Sequence, residues 1–542
     1  MTFPARSVRF PLLALVLVAC GADDGGGAGG TTQASTGPTS GASSTTVGTD
    51  SVGGSGSTTA PGTGSGTTGD GTTVGGTTDG GTTGGGGGGP TFLCDDPPWK
   101  DGDFATVYEV GPGKPLATPS DVPWESLTAG TLVKIFPRPE PYRDKWVIAG
   151  TGTEEAPIVV LGVADGGTLP VISGDGATTR PELDYWNEPR SIVKIGGAST
   201  PASDDPAHIV VACLEIRDAR PGLSFTDDAG SMQTYADNAA AIHVEQGRNV
   251  TIAGNELHRA GNGLFAGSGS TNLRIVGNWI HDNGNPGSIY EHNSYTESRG
   301  IVFEYNHYGP LCDGCAGNNL KDRSSGTVIR YNWIEDGNRQ LDLVETDDAD
   351  IAADPAYGET FVYGNVLVEG DGEGNSQIVH YGGDGGDTSL YRAGTLYFYF
   401  NTVVSTRSGN TTLVRLSTEV ERIEANDNIV FVTAGGDRLG ITTGTGTAVL
   451  TDNWLPQGWV PSHDTLTGSV MDAGNLEGTD PGFVDGAGQD FRLAPDSACR
   501  DAAGPLPAAT AAYPVTRQYV VHQGGENRPD DGAPDLGAFE AR

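Results

Sequence analysis

An asparagine that separates two short apolar segments recurs eight times and constrains the fold more than any other feature of the chain. The shortest interval between successive copies is 23 residues and the longest is 36. Repeats of this length are typical of solenoids, in which each turn buries its apolar face only by stacking on its neighbours. A turn of 23 residues has room for three short strands, and the longer intervals leave room for loops. The copies are Asn255, Asn278, Asn306, Asn332, Asn365, Asn401, Asn428 and Asn453.

Stacking gives the repeated asparagine a physical role. Equivalent side chains in successive turns lie about 4.8 Å apart, and an Asn amide has donors and an acceptor with which it can bond to its copies above and below. Asn also tolerates the left-handed backbone that a sharp corner requires. The pattern therefore predicts an asparagine ladder at one corner of an all-β solenoid.

Such a ladder resembles that of the right-handed parallel β-helix of the pectate-lyase superfamily. The segments TLVKIFP, GTGTEEAPIVVLG and VISG resemble the opening turns of secreted β-helix proteins, and DPGFVD, DFRL, SACRDAAG and PDLGAFE resemble their closing turns and cap. More narrowly, LDYWNEPRSIVKIGG, NGLFAG, SIYEHNSYTES, GNNLKDRSSG and NRQLDLVE resemble a bacterial subgroup described as polysaccharide-degrading enzymes. The resemblance implies one right-handed parallel β-helix with three sheets over residues 92–542, capping segments at both ends, and a polysaccharide substrate.

The N-terminal region has the features of an export signal followed by a tether. Two arginines, Arg6 and Arg9, precede an apolar run that is too short to span a bilayer. That run ends in LVAC, which resembles the lipobox of bacterial lipoproteins and predicts a signal peptide over residues 1–19 with lipidation at Cys20. Residues 20–91 are mostly Gly, Thr and Ser, which predicts a disordered tether. We therefore expect an exported protein with a lipid anchor in the cell envelope, at the outer membrane or the cell surface.

Charge and cysteine content limit the partners. The chain carries 69 acidic and 31 basic residues, a formal net charge of −38. Nucleic acid is excluded as an expected partner, and a polyanionic ligand requires local cations or a bound metal. The CxxC formed by Cys312 and Cys315 is compatible with a redox pair, half a zinc site or a disulfide across a loop, and we favour the loop disulfide. Cys213 lies in an apolar run and is expected simply to be buried. We expect a monomer.

Strand alternation predicts which side chains line a groove on the first sheet of the helix, the floor of the substrate groove in the resembling enzymes. Ile242 and Val244 are expected to point inwards, so His243 and Glu245 point outwards. Loops over residues 346–357 and 382–394 would wall this groove. The predicted catalytic residues are Lys321, Arg323, His292, Tyr295 and Asp342, and the predicted substrate-binding residues are His243, Glu245, Gln340, His380, Tyr381 and Arg415, with Lys321 and Arg323 directly beside Gln340 and Asp342 of the next turn.

These residue types suit β-elimination of a uronate-containing chain. That reaction needs a cation that neutralises the sugar carboxylate, a base and an acid. The planar fork of Arg323 matches a carboxylate. Lys321, with a pKa lowered by Arg323, or His292 is the expected base, and Tyr295 is the expected acid.

Two other functions stay open at this stage. Hydrolysis needs two carboxyl groups about 5–10 Å apart. Asp342 and Glu245 face the right way but lie several turns apart, so the expected partner of Asp342 is Asp347 or Asp348 of the loop. A tethered surface protein can also bind glycan without cutting it. Calcium is a possible cofactor, because the loop ETDDADIAAD supplies hard oxygen ligands. The loop residues that we expect to contribute are Asp347, Asp348 and Asp350.

Overall fold

The computed structural model describes residues 94–530 and 532–541, and within them the chain forms a single right-handed parallel β-helix. The predicted signal peptide, Cys20 and the whole of the predicted tether lie outside the described residues. Each full turn contributes a strand to each of three sheets, which we name sheet 1, sheet 2 and sheet 3 in chain order, with the ladder asparagine between sheets 2 and 3. This architecture confirms the predicted fold class.

Sheets 1 and 2 are joined by three long strands that run through the corner between them, namely Ala240–Ala253, Asn262–Val276 and Ser294–Glu304. The remaining strands of sheet 1 are Asp144–Ile148, Ser191–Ile195, Leu320–Asp322, Leu341–Leu343, Gln377–Tyr381, Thr411–Leu416 and Leu439–Thr442. Those of sheet 2 are Thr106–Val110, Thr131–Ile135, Ile158–Gly162, Ala207–Ala212, Ser325–Arg330, Glu359–Tyr363, Thr395–Tyr399, Arg422–Asn426, Thr447–Thr451 and Ser469–Ala473.

Sheet 3 is formed by Val171–Ser173, Glu215–Ala219, Glu256–Ala260, Trp279–His281, His307–Tyr308, Trp333–Glu335, Val366–Glu369, Thr402–Ser405, Ile429–Val432, Trp454–Pro456 and Leu476–Gly478. Minor strands are Ala177–Thr179, Asp184–Tyr185, Ala198–Thr200, Ser224–Thr226, Met232–Thr234, Phe483–Asp485, Asp490–Leu493, Arg517–Val520 and Gly524–Asn527. The one α-helix in the described residues is Ala349–Ala352, and the 3-10 helices are Asp101–Asp103, Pro119–Asp121, Trp124–Ser126, Glu188–Arg190, Pro355–Gly358, Gly436–Arg438 and Ala508–Ala512.

Within the described part of the chain, none of the helices has the length and apolar character that crossing a membrane requires.

The asparagine ladder is continuous. In each step the side-chain amide donates to the side-chain oxygen of the next ladder asparagine, at nitrogen–oxygen distances of 2.8–3.1 Å. Asn475 extends the row to a ninth member. The left-handed residue is the one before each asparagine, for example Gly277 and Tyr331, and not the asparagine itself. The prediction that Asn supplies the left-handed corner is therefore wrong, and its side chain does the stabilising work through hydrogen bonds.

The apolar core fills the interior of the helix and consists of the inward-pointing residues of all three sheets, such as Ile242, Leu341 and Ile423. The C-terminal segment, which the sequence predicts to close the helix, also returns along its outside. Tyr519 and Phe539 pack with Trp333 on the outer face of sheet 3. This segment buries apolar side chains that sheet 3 would otherwise expose to water.

Four of the cysteines are paired as disulfides. Cys312 and Cys315 are joined within their loop, with Cα atoms 5.2 Å apart. Cys213 is bonded to Cys94 across a sequence separation of 119 residues, so the expectation that Cys213 is only a buried thiol is wrong. Cys499 is the free cysteine among the described residues, and it is buried.

Candidate functional site

A row of outward-pointing side chains runs along sheet 1, one from each of eight successive turns. The parallel register places each member directly opposite the next, because no residue shift occurs at these positions. Lys321 lies opposite Asp342, as the alternation predicts. The row consists of Lys194, His243, Phe265, Tyr295, Lys321, Asp342, His380 and Arg415.

A hydrogen-bonded chain lies at the centre of this row. Lys321 Nζ lies 2.9 Å from one Asp342 carboxylate oxygen, and His380 Nδ1 lies 2.8 Å from the other. The second ring nitrogen of His380 lies 2.9 Å from the hydroxyl oxygen of Ser417. Asn318 donates a further hydrogen bond of 2.8 Å to Asp342, which is fully buried.

The protonation states follow from these contacts. Burial alone would raise the pKa of Asp342, but Lys321 and His380 outweigh it and hold that pKa well below its usual range. Burial alone would lower the pKa of Lys321, yet Asp342 and Asp384 raise it overall. Lys321 is therefore an ammonium at neutral pH, and the prediction that Arg323 lowers its pKa enough to make it a base is wrong. Asp342 is a carboxylate with no proton to donate.

His292 is equally unsuited to be a base. Burial, with a contribution from Lys321, lowers the pKa of its ring to about 3. One ring nitrogen accepts the backbone N–H of Asn318 at 2.8 Å, and the side chain is only 2% exposed. His292 thus lies beneath the row, where its ring packs edge to face against Tyr295 with ring centroids 5.5 Å apart.

Arg323 and Tyr295 form the part of the site that faces solvent. Arg323 follows the strand that ends at Asp322, and its guanidinium donates to Asp347 at 2.7 Å. Asp347 is 81% exposed at its side chain, whereas Arg323 Nε is buried without a hydrogen-bond partner. Burial raises the pKa of Tyr295 although Arg323 and Lys321 lower it, so the phenol keeps its proton. Arg323 therefore holds its charge beside a proton donor, paired with a carboxylate that is open to solvent.

Two predicted binding residues lie inside the protein and not in the groove. Tyr381 stands opposite Leu343 in the register and belongs to the interior core. Gln340 is fully buried at the corner before sheet 1, where its amide donates to Glu369. Because Asn319 precedes Leu320 as Gln340 precedes Leu341, Gln340 continues a buried polar row at this corner. The predictions that Gln340 and Tyr381 contact substrate, and that Gln340 lies beside Lys321 and Arg323, are wrong.

The raised pKa of the buried Glu369 carboxyl is expected to make the stability of the protein depend on pH. Burial raises its pKa to about 7 from an ordinary 4.5, although hydrogen bonds from Gln340 and Arg407 lower it. Between pH 4.5 and about 7 the folded protein keeps a proton on Glu369 that the unfolded chain has released. The stabilisation of the fold by this proton is therefore complete below pH 4.5 and is lost as the pH rises to about 7. We expect a loss of about 3 kcal/mol across this range.

Denaturant titrations at several pH values would measure this dependence in wild type and in Glu369→Gln. The amide variant should lose most of the slope, while Glu373→Gln, which alters an exposed carboxylate in the loop after the same strand, should keep it. An unchanged slope in Glu369→Gln would contradict the assignment.

The first turns of the row carry aromatic and acidic groups. His243 is only 2% exposed and packs edge to face against Phe265 at 5.0 Å. Burial, together with Arg190 and Lys194, lowers its pKa well below the ordinary range. Glu245 accepts a hydrogen bond of 2.8 Å from the indole of Trp186, which is 48% exposed. The exposed surface here is therefore Trp186, whereas His243 is buried.

The two predicted wall loops pack on the groove edge and on each other. Tyr357 in the first loop receives the backbone N–H of Thr346 and donates to the backbone carbonyl of Leu390 in the second. The acidic residues of the first loop have separate partners: Asp347 pairs with Arg323, Asp348 caps the short helix, and Asp350 lies 3.4 Å from Arg299. Calcium at this loop stays a prediction.

A different set of donors in the groove has metal-ligand spacing. Ligand atoms of Asp342, His380 and Asp384 all lie within 4.8 Å of one another. Lys321 Nζ lies 2.9 Å from Asp342 and 3.5 Å from Asp384, so an ammonium already supplies the positive charge there. These residues therefore do not fit a metal ion while Lys321 keeps this position.

Four cations lie on neighbouring turns of the groove, namely Lys321, Arg323, Arg339 and Arg415. Three of them are paired with carboxylates, since Lys321 contacts Asp342 and Asp384, Arg323 contacts Asp347, and Arg339 lies 3.7 Å from Asp342. Arg415 makes no ion pair with any described residue. The groove therefore offers a substrate carboxylate one unpaired cation and the Arg323 guanidinium, whose partner Asp347 is exposed.

Several residues of the site are missing from the sequence-based prediction. One of them, Phe265, can be found by the same strand alternation once the turns are aligned on the ladder asparagine. Ser417 and Arg339 flank strands whose ends only the structure defines. Asp384 lies in a loop, and no periodic pattern indicates that it approaches Lys321.

No protein-family model matches the chain, and no curated protein matches it. Among solved structures, the chain is similar to an alginate lyase from Paenibacillus sp. str. FPU-7 with 13% identity, 68% of this chain and 99% of that chain covered, and a TM-score of 0.40. It is also similar to pectate lyase Pel9A with 13% identity, coverage of 81% and 97%, and a TM-score of 0.41. A lacto-N-biosidase from Eubacterium ramulus has 12% identity, coverage of 69% and 68%, and a TM-score of 0.41. Shared folds of this kind do not transfer function.

Proposed function

We propose that this protein cleaves an acidic extracellular polysaccharide by β-elimination in the groove on sheet 1. The observation that carries the proposal is the contact between the Arg323 guanidinium, which is paired with the 81% exposed Asp347, and the Tyr295 phenol, whose pKa is raised by burial. Their contact is direct, because the Arg323 guanidinium carbon lies 5.4 Å from the Tyr295 ring centroid.

In the proposed mechanism Arg323 binds the uronate carboxylate and displaces Asp347, which is exposed and free to move aside. Lys321 lies nearby as a fixed ammonium. Both cations stabilise the negative charge that develops on the carboxylate when the adjacent carbon loses its proton. Tyr295 donates a proton to the leaving oxygen, which its intact phenol permits.

The group that accepts the proton is identified by excluding the other candidates. Lys321 is charged, His292 has a pKa of about 3, and both ring nitrogens of His380 are engaged by Asp342 and Ser417. Asp347 and Asp384 are the remaining carboxylates that contact these cations, and Asp347 is displaced when Arg323 binds the uronate. This leaves Asp384, whose side chain is 43% exposed and lies 3.5 Å from Lys321 Nζ. We assign it the role of base. Because a carboxylate is a weak base for this proton, most of the acceleration must come from the two cations.

A hydrolase that uses Asp342 as its acid is less well supported. Asp342 is fully buried, ionised and already hydrogen-bonded to Asn318, Lys321 and His380. A second candidate function is favoured by one observation: Asp342, His380 and Ser417 form an acid–imidazole–hydroxyl chain with distances of 2.8 Å and 2.9 Å. That order suits acyl transfer, such as removal of ester substituents from the polysaccharide.

The test is an assay of the full-length protein against pectate, alginate, glycosaminoglycans and neutral glycans, with and without calcium. Elimination creates an unsaturated uronate that absorbs ultraviolet light, and Asp384→Asn should lower its rate by about a hundredfold or more. New reducing ends without this absorbance would support hydrolysis. Release of acyl groups that is lost in Ser417→Ala would support the ester function. Binding without any product would identify a glycan-binding protein and contradict the proposal.

A further inference from the structure

A second cluster of metal-ligating side chains lies on the outer face of sheet 3, away from the groove row on sheet 1. His258 and His281 each stand three residues after a ladder asparagine and are opposite each other in the parallel register. Their rings stack with centroids 4.9 Å apart and an interplanar angle of 21°. The repeat that builds the ladder thus also aligns two imidazoles on one face.

Carboxylates complete this cluster. Glu256 Oε1 lies 3.3 Å from His281 Nε2 and 3.8 Å from His258 Nε2. Glu215, from the preceding turn, places its Oε1 3.2 Å from His258 Nε2. Ligand atoms of Glu256, His258 and His281 all lie within 4.8 Å of one another. Both imidazoles therefore direct the same ring nitrogen towards the same carboxylate.

The surroundings distinguish the cluster from an ordinary ion-pair network. Glu256 forms no ion pair with a lysine or arginine among the described residues, and its charged-group contacts are the two imidazoles. Arg217 lies 3.3 Å from Glu215, so that carboxylate is shared at the rim. The side chains are partly open to solvent, with exposures of 24% for Glu256 and 17% for His281, which gives an ion access.

We propose that His258, His281 and Glu256 bind one divalent transition-metal ion, with Glu215 as a fourth ligand. Two imidazole nitrogens with carboxylate oxygens suit zinc and its neighbours in the transition series, whereas calcium prefers an all-oxygen shell. The stacked rings need to close towards each other by a small change of side-chain torsion. Such an ion cross-links three consecutive turns of the helix, those of Glu215, Glu256 and His281.

The site differs from the donor set in the groove in one decisive respect. There, Lys321 Nζ lies within 3.5 Å of two of the three candidate ligands and repels a cation. On sheet 3, no lysine or arginine of the described residues lies in ion-pair contact with Glu256. Arg217 is opposite His258 in the register and forms an ion pair with Glu215 alone among the four proposed ligands. Zinc is therefore expected on sheet 3 and not in the groove.

The test is calorimetric titration of Zn²⁺ into the full-length protein, without a histidine tag and after treatment with EDTA. We expect one ion per chain, and a rise in Tm with Zn²⁺ because the ligand binds only the folded state. Co²⁺ in place of Zn²⁺ reports the ligand set through its visible absorption. His281→Gln and Glu256→Gln, which keep the side-chain shape, should each weaken binding at least tenfold, since even removing an outer supporting partner costs about 10–100-fold.

Two matched controls define the outcome. His307→Gln alters a histidine one turn further along the same sheet that is outside the cluster, and Asp384→Asn alters the groove donors. Both should bind Zn²⁺ like wild type. Absence of Zn²⁺ binding by wild type, or unchanged affinity in both His281→Gln and Glu256→Gln, would overturn the proposal. Loss of binding in Asp384→Asn alone would place the ion in the groove and overturn it as well.

Discussion

Replacing Arg323 with alanine is expected to lower the turnover of the preferred acidic polysaccharide by about 10²–10³-fold, the typical cost of removing one preorganised group that stabilises charge in a transition state. The guanidinium lies beside Tyr295 and donates to an exposed aspartate, Asp347, which a substrate carboxylate can replace. Arg323→Lys keeps the charge but loses the planar fork, and we expect an intermediate rate.

This effect is measured as the kcat/KM for formation of the unsaturated product. Arg422→Ala is the matched control, since Arg422 lies on sheet 2 and pairs only with Glu424 at 2.9 Å. It should have the wild-type rate. If Arg323→Ala retains wild-type kcat/KM on a polysaccharide that wild type cleaves, Arg323 does not act on the substrate and the elimination mechanism is wrong.

The second large effect concerns stability. Arg392 and Asp322 form an ion pair in which both side chains are fully buried, with nitrogen and oxygen 3.1 Å apart. Arg392 also donates to the backbone carbonyls of Val344 and Asp322, so it fastens the loop of residues 382–394 to two strands of sheet 1. Arg392→Met leaves a buried carboxylate without its cation, and we expect the free energy of unfolding to fall by about 3–5 kcal/mol.

Urea or guanidinium denaturation monitored by circular dichroism would measure this loss. The comparison is Arg492→Met, which breaks an exposed pair with Asp490 and should change stability by no more than about 1 kcal/mol. Equal midpoints for the two variants would show that the buried pair adds nothing. Because the loop walls the groove, Arg392→Met should also impair polysaccharide turnover more than Arg492→Met does.

Most of the candidate site could be predicted because it lies on regular strands. Once turns are aligned on the ladder asparagine, alternation places Tyr295, Lys321 and Asp342 on the outside of sheet 1, and the register agrees. The same alternation applied at strand ends was misleading. Gln340 lies before its strand and turns into the corner. Tyr381 points into the core, as alternation with the outward-facing His380 requires, so its predicted place in the groove does not follow from the pattern.

The protonation states could not be predicted because they depend on partners from other turns. From the sequence we expect Arg323 to lower the pKa of Lys321, whereas in the structure Asp342 and a loop residue, Asp384, raise that pKa. The disulfide between Cys94 and Cys213 joins residues 119 positions apart, which no local pattern indicates.

The sequence by itself determined the repeat, the asparagine ladder and the inward or outward direction of most strand residues, because these follow from hydrogen bonding and packing between equivalent positions of successive turns. Only the tertiary structure decided which side chains share a proton, where the loops and the C-terminal segment pack, and that two imidazoles meet a carboxylate on sheet 3. These features arise from contacts between positions that are not equivalent in the repeat, and such contacts depend on distances that periodicity does not encode.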